Sequence, residues 1–235
     1  VGSLWQLRHF KKLLSARTIS NIGNGIAPIA LAFGVLDLPG ATPTSLSIVL
    51  AAQAVPLVVL LPIGGVVADK WGRARVIAAS DILLSFVVMT VAVLFLTGTA
   101  TIAILAALGV IMGVLNAFFY PAMSALTPEV VPEEHLQPAN GYIAMAQNGG
   151  MIAGSAIGGI LVATVGSGIA IAIDALTFFV SGLLVFSFRH VSTKSESSET
   201  MITDLVHGWR VFTSYRWIVV IVAAFSLIVM VWRGS

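Results

Sequence analysis

The chain is 235 residues long, 58% hydrophobic and only 9% charged, with no Cys and a formal charge of +2; its mean hydropathy is +1.02. Soluble domains carry about 25% charged residues, so a water-soluble globule of this composition would lack the polar surface to cover itself. The missing cysteines exclude a disulfide scaffold, thiolate metal sites and a cysteine nucleophile, which leaves an all-α integral membrane protein or a piece of one.

One crossing needs about 20 apolar residues. Apolar runs fall at about 15 to 36, 44 to 67, 76 to 97, 102 to 126, 139 to 165 and 168 to 189, which predicts six spans. Arg8, Lys11 and Lys12 precede the first run, and no short apolar core with an Ala-x-Ala-like cleavage site follows; this reads as an uncleaved span, not a signal peptide. Leu38-Pro39-Gly40, Thr97-Gly98-Thr99 and Val165-Gly166-Ser167-Gly168 supply turns between paired spans. With the N-terminus inside, 11 of the 12 Lys and Arg residues fall inside and none falls in these three turns. That bias sets the topology and explains the basic pI better than a nucleic-acid partner does. The inner segment Thr127 to Gln137 is acidic, with Glu129, Glu133 and Glu134, and acids contribute little to orientation.

Beyond the sixth run, Ser192 to Thr200 is polar, and Ile202, Leu205, Val206, Trp209 and Phe212 follow at helical spacing. The expectation is a six-helix bundle over 1–190, a cytoplasmic linker with an amphipathic surface helix over 191–216, and an incomplete seventh span over 217–235. The last apolar run, Trp217 to Trp232, is 16 residues, about 24 Å of helix against a hydrocarbon layer of about 30 Å. With Val at position 1, the chain reads as a fragment or a truncated reading frame.

Between spans two and three stands Gly64-Gly65-Val66-Val67-Ala68-Asp69-Lys70-Trp71-Gly72-Arg73-Ala74-Arg75. Gly65 is expected to admit a neighbouring helix, Asp69 to accept at a helix end, Gly72 to permit a tight reversal, and Arg73 and Arg75 to meet water or acids. The segment resembles the signature loop of the major facilitator superfamily, G-x-x-x-D-[RK]-x-G-R-x-[RK]. The resemblance implies the N-terminal half of a transporter, built from 3+3 inverted repeats. It also implies a gating loop, Gly65, Asp69, Lys70, Gly72, Arg73 and Arg75, that latches onto the missing C-terminal half.

Span five carries Gly141, Gly150, Gly154, Ser155, Gly158 and Gly159. The set resembles the antiporter motif of drug exporters, G-x8-G-x3-G-P-x-x-G-G, with Ser155 in place of proline. Gly150, Gly154 and Gly158 recur every four residues and predict a flat packing stripe. Leu105 and Gly113 fit the family's span-four pattern L-x-x-x-R-x-x-x-G, but Gly109 stands at the basic position. In span one Asn24 stands where related exporters often have an acid, and Gly23, Gly25 and Pro28 predict a distorted, hinge-capable helix. Phe118-Phe119-Tyr120-Pro121-Ala122 and Leu136-Gln137-Pro138-Ala139-Asn140 resemble the branch with macrolide and siderophore exporters.

Two carboxylates fall within the spans, Asp81 and Asp174, each about six residues from its helix start. A charge there is expensive and is paired or functional. Asp81 is expected about 9 Å from the inner boundary, within reach of Arg17 or Arg73, so structural pairing and proton coupling both stand open. The sequence offers no base near Asp174, which makes it the better candidate for a titrating or cation-binding acid. The two acids are 93 residues apart, similar to the offset between spans one and four, as 3+3 repeats require. Asn24, Gln53, Asn116, Tyr120, Gln147 and Asn148 are candidates to line a path, or to bond between helices.

The resemblance implies proton-coupled export of a small amphipathic compound by alternating access. Its partners are a lipid bilayer, the transported molecule, and a proton or other cation, with no cofactor. The alternative reading is a remnant with no transport of its own. No H-E-x-x-H, G-x-S-x-G or P-loop occurs, and all four histidines fall in inner segments, which argues against an enzyme.

Overall fold

The structure, a computed structural model, describes residues 4–188 and a few isolated positions between 210 and 224. The expected amphipathic helix in 191–216 and the seventh span fall almost wholly outside the described residues. Six long helices fill the described bundle: α1 (Arg8–Leu36), α2 (Pro43–Trp71), α3 (Arg73–Leu96), α4 (Ile102–Val130), α5 (Leu136–Val165) and α6 (Ser167–Phe186). All six are long and apolar enough to cross a membrane, and the protein is a multi-pass membrane protein. Short 3-10 turns occupy Leu4–Gln6 and Glu133–His135.

Five of the helices overrun their apolar runs by three or more residues. A 29-residue helix such as α1 or α4 reaches about 43 Å, past the hydrocarbon and into the headgroup region. Arg8 to Leu14 therefore belong to α1, and Thr127 to Val130, expected as loop, close α4. Pro28 does not break α1, which runs on to Leu36.

Local chemistry sets the ends. Thr42 caps α2 in a reciprocal box, its hydroxyl accepting from Ser45 N at 3.4 Å while Thr42 N donates to Ser45 Oγ at 3.2 Å, with Pro43 at the first helical position. Thr101 caps α4 by accepting from Ile104 N. α2 passes to α3 through the single residue Gly72, with φ 91° and ψ 122°, and α5 passes to α6 through Gly166, with φ 87° and ψ 166°. A side chain would be strained at either junction.

Those matching one-residue joints reflect a repeat. The principal seams are α1 on α5, α2 on α4, and α3 on α6. Exchanging α1–α3 with α4–α6 turns the first seam into the second and returns the third to itself, as 3+3 repeats require.

The buried residues form two apolar clusters. One holds Phe10, Leu13, Ala78, Phe119, Leu126 and Phe188, and the other Ile26, Val49, Leu84, Leu105, Ile171 and Phe178. Along α1, α3 and α6 the stretch between them carries the buried polar residues Arg17, Ser20, Asn21, Ser80, Asp81 and Ser181. A polar layer thus crosses the bundle between two apolar clusters. Its members need partners, because an unbonded buried polar group costs about 1–3 kcal/mol.

Candidate functional site

The segment 64–75 is no extended loop: Gly72 alone lies outside helix. Gly72 N donates to Ala68 O at 3.0 Å, so the residue ends α2 and begins α3. The close approach expected at Gly65 is made by Gly64 instead. A Cβ on Gly64 would strike the Ala117 carbonyl oxygen of α4, whereas one on Gly65 would meet only Pro121 at ordinary distance.

Arg73 does not extend into water. Its Nε and Nη2 donate to Asp69 Oδ1 at 3.1 and 2.8 Å, and its Nη1 donates to Ala125 O at 2.9 Å and lies 3.1 Å from Glu129 Oε1. One guanidinium ties the end of α2 and the start of α3 to α4, using the fork geometry that lysine lacks. Arg75 is exposed.

Arg73→Ala would leave the mostly buried Glu129 without a counter-charge and the Ala125 carbonyl without this donor. The expected loss is about 1–3 kcal/mol, discounted because Asp69 and Arg73 are partly solvated. Thermal unfolding in detergent measures it, and Arg73→Lys should recover less than half.

In α5 the glycines divide by face. Gly150, Gly154 and Gly158 are buried against α1, where added Cβ atoms would meet Asn21 Cβ at 2.9 Å, the Ile22 carbonyl oxygen and Ile26 Cα at 3.0 Å. Gly141 and Gly159 have nothing within 4 Å of an added Cβ. Ser155 Oγ donates to Gly25 O at 3.4 Å across this seam.

Two cavities, each of about 180 Å³, share the walls Asn24, Leu84, Asn116, Tyr120 and Phe178. The first is lined mainly by apolar residues and also reaches Gln53, Val88 and Asp174. The second opens on the polar layer through Arg17, Asn21, Asp81 and Gln147. The structure therefore brings Asn24, Asn116, Gln147 and both acids to the walls of two neighbouring cavities. Asn148, also a candidate, is exposed, with its Nδ2 bonded to Ala144 O at 3.0 Å.

The two acids sit differently. Asp81 is in the polar layer, and its Oδ2 accepts from Ser181 Oγ of α6 at 2.7 Å. Arg73, one of its two expected partners, is committed to Asp69 and Glu129. Arg17, the other, lines the second cavity together with Asp81 but makes no direct ion pair with it. Its Nη2 donates to Asn21 Oδ1 at 3.2 Å, and its guanidinium lies 4.8 Å from the Phe119 ring centroid. Among the described residues, Arg17 Nη1 and Asp81 Oδ1 have no hydrogen-bond partner.

Asp174 is buried inside the other cluster, between Ile171 and Phe178, with its Oδ1 unpartnered. It presses on α1 at Gly23, where an added Cβ would strike Asp174 Oδ1 and Thr177 Oγ1. Gly23 is thus small because an acid and a hydroxyl from α6 fill the space.

Sequence reasoning missed Ser181 and Glu129 as participants, and it named Arg17 as a partner for Asp81 without placing Arg17 itself in the buried layer. Arg17 was counted with the inside bases, yet it is 7% exposed and nine residues into α1; its position within the first apolar run was the available signal. Ser181 and Glu129 carried no local signal, because each acts through a helix distant in sequence.

A family model described as Major Facilitator Superfamily matches residues 13–234. The chain is similar to the MFS-type transporter YkuC of Bacillus subtilis, 30% identical over 186 residues, 79% of this chain and 43% of the relative. It is similar to the multidrug efflux pump Tap of Mycolicibacterium fortuitum, 32% identical over 208 residues, 84% of this chain and 50% of the relative. Macrolide efflux protein A of Streptococcus pyogenes is 25% identical over 187 residues, 79% of this chain and 45% of the relative. The chain spans about half the length of these relatives. The six-helix repeat, the one-glycine joint with its arginine clasp, and a match that takes in nearly all of the bundle agree: the chain belongs to the major facilitator superfamily.

Proposed function

We propose that this chain forms the N-terminal half of a secondary transporter that exports small amphipathic compounds in exchange for protons, with its N-terminus in the cytoplasm. The observation that carries the reading is Asp174, a buried acid at the wall of an apolar cavity with no counter-charge among the described residues that line it. A carboxylate so placed needs a proton or a cation to neutralise it, and intramembrane acids of this kind mark ion and substrate paths. The efflux proteins among its relatives support export as the direction.

Alternating access would rock this bundle against a second six-helix half about the shared cavity, with occupancy of the acid favouring one state. The Arg73 clasp would keep the inner ends of α2, α3 and α4 moving as one body. The outward turns without bases support the orientation.

The test uses the full-length protein in sealed vesicles under an imposed pH difference. Export of a lipophilic dye is expected, with loss on adding a protonophore and at least tenfold slowing in Asp174→Asn. This chain has no Cys, so once any cysteine outside it is replaced, Lys70→Cys gives a single label site, expected to react only from the cytoplasmic side. Gradient-driven export that survives in both Asp174→Asn and Asp81→Asn would overturn the proton assignment. Labelling of Lys70→Cys from outside would overturn the topology.

A further inference from the structure

Arg17 of α1 and Asp81 of α3 each keep one buried polar atom that bonds to no described residue, Nη1 and Oδ1 respectively. Asn21, one turn after Arg17, adds a third, its Nδ2. The other polar atoms of these groups are engaged: Asn21 Oδ1 accepts from Arg17 Nη2 at 3.2 Å, and Asp81 Oδ2 accepts from Ser181 Oγ at 2.7 Å. All three side chains line the second cavity. Two donors and one acceptor are therefore left over around one space. The helices that carry them, α1 and α3, share no principal seam, and each packs on α6 instead.

The walls and the charges define the occupant. The cavity, about 180 Å³, far exceeds the room of about 10–15 Å³ that one water needs. Asn24, Asn116 and Gln147 add polar walls, so it is not the apolar kind of cavity that stays dry. Arg17 is cationic at every physiological pH, and the Asp81 carboxylate balances it. A bound cation would be repelled by Arg17 and a bound anion by Asp81, which leaves a neutral occupant. That occupant must accept from two N–H groups and donate to a carboxylate oxygen. A single water does both.

We propose that the second cavity is a water site, in which ordered water accepts from Arg17 Nη1 and Asn21 Nδ2 and donates to Asp81 Oδ1. The two buried charges are then joined through water and not by a direct ion pair. A direct pair holds one short geometry, whereas a water bridge keeps both charges bonded while α1 and α3 shift on α6. Tyr120 and Gln147, exposed at the cavity edge, give the water its route of exchange. The inference depends neither on what the protein carries nor on whether protons drive it.

One test is a structure of the full-length protein from crystals grown in bromide, at a resolution of about 2 Å, where a water peak is expected within about 2.7–3.2 Å of both Arg17 Nη1 and Asp81 Oδ1. No anomalous bromide signal is expected there. A direct Arg17–Asp81 ion pair, absence of density between the two groups, or a bromide peak overturns the site.

A second test works in detergent solution, where brief radiolysis of water oxidises side chains next to bound water. Phe119 lines the cavity, Phe10 of the same apolar cluster does not, and both rings are buried. Phe119 is expected to be oxidised at least fivefold faster than Phe10. Asn21→Leu, which removes a donor and fills space, should abolish most of that excess, and Asn21→Ser should keep most of it. Equally slow oxidation of the two rings in the unaltered protein overturns the hydration, whether or not the variants fold. An excess at Phe119 that Asn21→Leu leaves unchanged overturns the part given to Asn21.

Discussion

Gly154→Val is expected to cost the bundle at least about 3 kcal/mol and to leave little monodisperse protein in detergent. The new Cβ would strike the Ile22 carbonyl oxygen, and Gly25 Cα lies 3.0 Å from the same point. Both are backbone atoms of a continuous helix, so relief requires moving α1 as a body, and α1 also carries Arg17, Asn21 and the contact at Gly23. Overpacking that side-chain motion can absorb costs about 1–3 kcal/mol; displacing a helix sits above that range.

Gly159→Val, on the same helix and in the same motif, meets nothing within 4 Å and is expected to stay within about 0.5 kcal/mol. Thermal unfolding of the two variants in this chain makes the comparison. Similar losses in both would mean that helix propensity, not the α1–α5 seam, explains the glycines. The same logic extends to the partner seam, where Gly113 and Gly64 of the α2–α4 pair admit the carbonyls of Gln53 and Ala117.

The pair Gly154 and Gly159 also shows what the sequence could tell. Spacing of four identified Gly150, Gly154 and Gly158 as one face, because helical periodicity is local. It could not name α1 as the partner, which depends on how helices 130 residues apart come together. Composition and apolar runs were enough for six helices and three turns, since lipid demands a fixed length of apolar helix. They missed the overrun of α1 and α4, whose end turns are polar and lie past the apolar core.

The acids illustrate the same limit. Asp81 and Asp174 stood out because a carboxylate is conspicuous in an apolar run, and their spacing hinted at the repeat. The difference between them rests in part on Ser181, an ordinary residue for a membrane helix until the fold sets it against Asp81. Arg73 was legible as a motif residue but not as the link to Glu129, which lies 56 positions away.

The second large effect concerns Arg17 and Asp81. Each is almost fully buried, each keeps one polar atom without a partner, and the two face one cavity without direct contact. Each charge attracts the other through space, while burial disfavours both. Removing one therefore leaves the other as an uncompensated charge. Arg17→Gln and Asp81→Asn should each cost about 3–5 kcal/mol, as breaking a buried pair does. The double variant should recover at least about 2 kcal/mol of the summed loss, because two neutral amides need far less solvation than one stranded ion.

Unfolding of the four proteins in detergent closes the cycle. Strict additivity would mean that Asn21 and Phe119 satisfy Arg17 alone, and that Ser181 does the same for Asp81. A positive coupling would make the polar layer a single electrostatic unit spanning α1, α3 and α6, beside the cavity whose wall includes Asp174.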